Sequence, residues 1–219
     1  MGIFLLANYF YLCPFRNTYL SLNYLFSFNK IHTHLVNYFN KVATINEREE
    51  ALVREIFTSQ SYKRKAFVLQ EGEICKTFTF VVSGCLRLYK IDDKGNYHIL
   101  SFASENCLVV DILSFREQTP AILTIDTLEA TEVLQITNEN LQHLYREAPI
   151  FNYIIRELLE KHHAFLQCRL LDMMYANAQE RYASFVRQYP HLLNRISHAQ
   201  IAYYLGITPE FLSKIRSSN

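Results

Sequence analysis

Hydrophobic positions change period several times along the chain. Thr44-Ile-Asn-Glu47 has the form of a capping box, and Leu52, Val53, Ile56 and Phe57 follow at helical spacing, predicting a helix from about 45 to 58. Short β-branched or aromatic runs come next: Phe67–Leu69, Thr77–Val82, Leu86–Tyr89 and His98–Phe102. Glu71-Gly72-Glu73, Ser83-Gly84 and Asp92-Asp-Lys-Gly95 separate them, so three of the five glycines sit at strand breaks. Runs at Cys107–Val110, Ile122–Ile125 and Glu132–Ile136 complete at least seven strands. Short, evenly spaced strands of this kind predict an antiparallel sandwich, barrel or jelly roll.

Helical spacing then returns. Thr137 caps a predicted helix from Asn140 to Arg146, and Pro149 opens a much longer one. Along it Phe151, Ile155, Leu158, His162, Phe165, Arg169 and Asp172 recur at alternating four- and three-residue steps, flanked by Ile154, Leu159, Leu166 and Leu170. That seam exceeds what a small β domain covers, so one side is expected on the chain's own sheets and the other on a second copy. Phe151, Ile155, Leu158, His162, Phe165 and Arg169 are the expected dimerisation residues; the alternative is a helix that covers only its own β domain. A further helix from Ala178 to Gln188 is closed by Tyr189-Pro190.

The last two dozen residues read as a helix pair. Ser197 and Gln200 form a capping-box start, Ile201, Ala202 and Leu205 share a face, and Gly206 supplies the positive φ that ends the helix. Thr208-Pro209-Glu210 opens a second helix with an N-cap hydroxyl, proline at the first position and an acid near the dipole's positive end; Leu212 and Ile215 are its buried side. A small residue at the crossing, a glycine four residues on and aliphatics at fixed offsets make a helix-turn-helix.

At 219 residues the chain holds one large or two modest domains, and a net charge of +1 rules out wholesale polyanion coating. From Arg195 onward Arg195, Lys214 and Arg216 outnumber Glu210, which makes the end mildly basic. Five scattered cysteines without a CxxC pair indicate free thiols in a reducing cytoplasm and no disulfide or zinc framework. Residues 1–32 form an apolar, aromatic extension, too short in its apolar run to span a bilayer, with Arg16 after that run where a secretory signal wants basic residues before it. A poorly ordered extension, a surface-packed helix and a misplaced start codon are the open readings, and the segment is expected to be dispensable.

The chain resembles the Crp/Fnr family of bacterial transcription regulators over residues of about 34 to 218. The resemblance is carried by Glu71-Gly72-Glu73, by Val81 to Gly95 as the central hairpin, and by Ile201-Ala, Leu205-Gly-Ile, Glu210 and Leu212-Ser-Lys-Ile215. Ala178-Gln-Glu-Arg-Tyr, Phe185 and Tyr189-Pro190-His-Leu-Leu, with Ile207 to Arg216, look like the branch common in Bacteroidetes. The resemblance implies an α+β fold. An antiparallel β jelly-roll (double-stranded β-helix) sensor domain at 33–147 leads to a long central dimerisation helix at 148–176. A helix-turn-helix DNA-binding domain follows at 177–219. It also implies a cytoplasmic homodimer on near-palindromic double-stranded DNA, with RNA polymerase as a family-expected partner, no membrane association and a small-molecule effector of unknown identity.

By alignment to that family, Glu210 and Lys214 fall on base-reading positions, one accepting from cytosine N4 and the other donating to guanine O6/N7. Pro209 stands where the best-known members have an arginine, so readout there differs or is lost. Ser213 and Thr208 are candidates for phosphate or base contact, and Ser197, His198, Gln200 and Arg216 for backbone positioning. Cyclic-nucleotide-binding members carry Gly-Glu and Arg-Ser pairs in the phosphate-binding segment. Here Val109-Val110 and Ala121-Ile122 occupy those places, with Asp111 and Arg116 out of register, so no tight cyclic-nucleotide binding is expected. No cofactor or metal is expected, the bunched cysteines of cluster-bearing members are missing, and the eight histidines leave a haem ligand as the open alternative. An enzymatic reading lacks a P-loop, a nucleophile elbow and a dinucleotide loop, and the His32-Thr-His34 pair lies ahead of the β domain. The rival reading is a ligand-binding or interaction module that has lost specific DNA recognition.

Overall fold

The computed structural model describes residues 31–217. Expectations for residues 1–30 lie outside that range. The described part of helix α1 covers residues 31–40, followed by α2 (Glu47–Ile56). The cap of α2 is Asn46 and not Thr44. Its side chain accepts from Glu49 N at 3.0 Å while Glu49 Oε2 accepts from Asn46 N at 2.8 Å, a reciprocal box two residues later than predicted. The shift follows from burial, because Ile45 is packed in the core ahead of the cap.

Eight strands follow: β1 (Thr58–Tyr62), β2 (Phe67–Leu69), β3 (Thr77–Ser83), β4 (Leu86–Ile91), β5 (Tyr97–Ala103), β6 (Leu108–Val109), β7 (Thr124–Thr127) and β8 (Thr131–Thr137). They make two four-stranded antiparallel sheets, ordered β1-β8-β3-β6 and β2-β7-β4-β5. Phe78, Phe80, Leu134 and Ile136 of one sheet share a core with Leu69, Leu86, Leu88 and Ile125 of the other, which is the jelly-roll sandwich expected. Gly84 between β3 and β4 has φ of +99°, and a Cβ there would lie 2.4 Å from Thr131 Oγ1, so only glycine fits the corner. The short α3 (Ile112–Glu117), N-capped by Asp111, lies between β6 and β7.

Beyond β8 come α4 (Asn138–Glu147), capped by Thr137, the long α5 (Ile150–Tyr175), α6 (Ala178–Gln188), a single 3₁₀ turn (Pro190–Leu192), α7 (His198–Leu205) and α8 (Pro209–Ser217). The first turns of α5 are locked into the sandwich core, where Phe151 meets Phe39 of α1 edge-on at 5.2 Å. A second core joins β4 and β5 to the C-terminal helices: Cys85, Tyr89, Ile99 and Phe102 pack with Phe185, Tyr189, Leu192, Ile201 and Tyr204. The last third of the chain is thereby seated on one face of the β domain.

Candidate functional site

The helix pair is built as its sequence demands. Ser197 Oγ accepts from Gln200 N at 3.4 Å, and Gly206, at φ of +66°, turns the chain out of α7. Thr208 Oγ1 accepts from Phe211 N at 3.2 Å, starting α8 with Pro209 as its first residue. Leu212 and Ile215 face inward against α7, whose Ala202 is fully buried at the crossing. Glu210, Ser213, Lys214 and Arg216 remain on the exposed outer face of α8. The Glu210 carboxyl is held below the ordinary glutamate value by bonds from its own backbone N–H and the Thr208 hydroxyl, so it presents an ionised acceptor. Arg216 bonds to His198 across the pair, and Ser197, His198 and Thr208 are exposed beside it.

Two expectations change. Gln200 does not close a capping box on Ser197. Its side-chain oxygen accepts from Arg87 Nη1 of β4 at 2.8 Å, because a largely buried guanidinium already paired with Asp126 still needs an acceptor for its third nitrogen. Arg195, counted in sequence as free basic charge, is held between Glu105 and Glu129. Its guanidinium donates to both Glu105 oxygens at 2.8 and 2.9 Å and to Gly84 O at 3.1 Å. The exposed basic residues of the pair are Lys214 and Arg216.

Polar links thus run beside the apolar junction. Arg87 grips Asp126 in a bidentate pair at 2.7 and 2.8 Å and lies over the Tyr89 ring, while Tyr97 stacks on Tyr203 of α7 at 5.5 Å. Burial, with Asp126 alongside, pushes the Tyr89 phenol up to about 12, so it stays neutral. Arg169 of α5 covers the Tyr204 ring at 3.4 Å and donates to Ile99 O and Tyr204 O at 2.7 and 2.8 Å. Sequence reading missed Arg87 as a junction residue; an arginine at the centre of an apolar strand was the available signal.

The long helix separates its two faces by one position. Phe151, Ile155 and Leu158 are buried in the chain's own core; Phe165 meets Tyr189 edge-on, and Arg169 is engaged as above. His162 is exposed, stacked on Phe165 at 5.8 Å. The neighbouring register, Leu159, His163, Leu166, Leu170 and Met173, repeats the same four- and three-residue steps; its first three residues border a cavity of the β domain, and Leu170 is 61% exposed.

Between β5, α3, the β6–β7 segment and α5 lies a cavity of about 510 Å³. Leu100, Val109, Leu123, Leu158 and Phe165 contribute to its wall, with Phe102 and Tyr189 where it adjoins the second core. Ile112, Leu113 and Ile122, each about half exposed at 50, 54 and 53%, form its lip. Asp111 is its single acidic residue, and no lysine or arginine lines it.

Residues 59–148 match the cyclic nucleotide-binding domain family model. The comparison with curated proteins gave no match. Among solved structures, a mutant of CooA from Carboxydothermus hydrogenoformans superposes with a TM-score of 0.64 at 19% identity, over 80% of each chain. The c-di-GMP-responsive regulator CLP of Xanthomonas campestris gives 0.64 at 17% identity, over 79% of this chain and 91% of that one. A transcriptional regulator assigned to the Crp/Fnr family, from Eubacterium rectale, gives 0.63 at 22%, over 82 and 85%. At these identities the likeness is one of fold.

The ligand in the domain's name does not fit this cavity. A cyclic nucleotide brings a phosphate anion, which needs a positive or N–H-rich partner. Arg116, the basic residue of the segment, points to solvent with 81% of its side chain exposed and lies 3.5 Å from Glu117. Asp111 cannot help either: Oδ1 accepts from Ser114 N, and Oδ2 from Ile122 N and Leu123 N. Among the described residues no cluster of His, Cys, Asp and Glu could hold a metal, and no helix is long and apolar enough to cross a membrane.

Proposed function

We propose that the chain is a sequence-specific DNA-binding transcription regulator of the Crp/Fnr type. It acts as a homodimer on a near-palindromic site. The observation that carries this reading is α8: an amphipathic helix seated on α7 by Leu212 and Ile215, with Glu210, Ser213, Lys214 and Arg216 on its outer face. A helix presented in this way enters a major groove, and its first turns read base edges. In this reading residues 33–147 sense, 148–176 pair two copies and 177–219 bind DNA. The pairing seam is the register Leu159, His163, Leu166, Leu170 and Met173, since Phe151, Ile155 and Leu158 of the other one are buried in the chain's own core.

The test is selection of bound duplexes from a random pool, followed by anisotropy titration of the winner at two salt concentrations. The expected product is a palindrome with half-sites one helical turn apart, roughly 34–36 Å. An unselective pool with steep salt dependence would leave only phosphate attraction and reject the proposal.

A further inference from the structure

We infer that the β-domain cavity is a binding site for an uncharged, mainly apolar small molecule and not for a cyclic nucleotide. At about 510 Å³ it has the size of a small-ligand site, and its wall is built from strand, helix and loop side chains that the fold holds in place. The segment where nucleotide-binding relatives place a phosphate contact closes on itself here. Asp111 caps α3 and ties down Ile122 and Leu123, leaving aliphatic side chains directed at the space. An anion entering would lose its water, face the buried Asp111 carboxyl and meet no lysine or arginine. An apolar molecule would bury the lip formed by Ile112, Leu113 and Ile122, which otherwise stands in water. The other polar side chains of the lining are few. Ser101, Gln188 and the Tyr189 phenol can orient a hydroxyl or carbonyl, and burial holds the Tyr189 phenol far above its ordinary pKa. His162 and His163 of α5 also line the space. Occupancy is a property of the β domain and α5 and does not depend on DNA recognition.

The test titrates phenylnaphthylamine, an uncharged aromatic fluorophore, into the full-length protein, with cyclic AMP run by calorimetry in parallel. The expected result is saturable, blue-shifted emission from a single molecule per chain and no heat with cyclic AMP. Leu100→Trp and Leu123→Trp fill the cavity from β5 and from the β6–β7 segment at partly exposed positions; each should abolish saturable emission while leaving the thermal midpoint near that of the parent. Emission that does not saturate, or that both variants leave unchanged, overturns the inference. So does saturable cyclic AMP binding that displaces the probe. Probe uptake appearing only after Leu170→Glu would show that a second copy's helix fills the space and would overturn it too. Because the readout contains no DNA, loss of DNA recognition leaves this result intact, and the reverse holds.

Discussion

Arg195 is where the seating of the helix pair on the β domain can be measured. Replacing it with alanine removes donors to Glu105, Glu129 and Gly84 O and leaves two carboxylates without their shared cation. Side-chain exposures of 28% for Arg195, 36% for Glu105 and 33% for Glu129 place the cluster between two limits. Fully exposed pairs contribute about 0–1 kcal/mol, and hydrogen bonds to charged groups withdrawn from water contribute about 1.5–3 kcal/mol. The expected loss is about 2 kcal/mol, an intermediate value because solvent screens part of the attraction. Urea denaturation followed by circular dichroism reads it directly. A double-mutant cycle with Glu105→Gln separates the pair from the general effect of truncation, and coupling of about 0.5 kcal/mol or more is expected. A loss under about 0.5 kcal/mol, with additive single costs, would refute the argument and reduce the cluster to a solvated surface contact.

The same cluster gives a pH dependence. Hydrogen bonds from Arg195 hold the Glu105 carboxyl at about 2 against an ordinary 4.5, so its stabilisation is fully present above the ordinary value. That contribution is lost as pH falls from 4.5 to about 2, and acid-unfolding midpoints should show a smaller fall there for Glu105→Gln; parallel curves for both proteins would contradict it. Phe185 is fully buried among Phe102, Tyr189 and Tyr204, so Phe185→Ala should cost about 3–5 kcal/mol in chemical denaturation. A cost under about 1 kcal/mol would mean the ring cluster is loosely packed. On DNA, Lys214→Ala should weaken the selected site by about 1–3 kcal/mol and relax one base position, whereas Arg216→Ala should weaken all duplexes alike and flatten the salt slope. Anisotropy titration against matched and mismatched duplexes checks both, and interchanged patterns would reverse the two roles.

Strong periodicity was readable from sequence, and what depended on a choice of partner was not. β2 to β5 and β8 announced themselves because buried sandwich strands are β-branched and aromatic between glycine turns. β1 was missed because Thr-Ser-Gln-Ser-Tyr is polar; it is an edge strand that pairs with β8 alone and needs little burial. α3 went unseen because six residues offer too few turns for a helical period, and its cap, Asp111, was noted in sequence only as out of register with the family's nucleotide-binding pairs. The long seam of α5 shows the limit most clearly. A four-three repeat occurs in two adjacent registers, and only the packing of Phe151, Ile155 and Leu158 against the sandwich tells which one the chain keeps for itself. Gln200 and Arg195 behave likewise. Their side chains are committed to Arg87, Glu105 and Glu129, partners 66 or more positions away whose nearness is a product of the fold.

The cavity and the helix pair have a wall in common, which constrains how one can act on the other. Phe102 and Tyr189 line the cavity, and the same two rings meet Tyr204 of α7 at 5.5 and 5.8 Å. Phe165 of α5 touches Tyr189 from the other side, and Arg169 covers Tyr204. Close-packed rings have no slack to absorb a displacement at one member, so a ligand that moves Tyr189 or Phe102 must move α7 or α5 with it. The Arg87–Gln200 bond and the Arg195 cluster resist that movement from the β-domain side. A ligand therefore shifts the helix pair only if it contacts the ring cluster differently in two packings, and the difference must exceed what these polar links contribute to one of them. Under the proposed function, coupling between occupancy and DNA affinity would therefore run through the ring cluster of Phe102, Tyr189 and Tyr204.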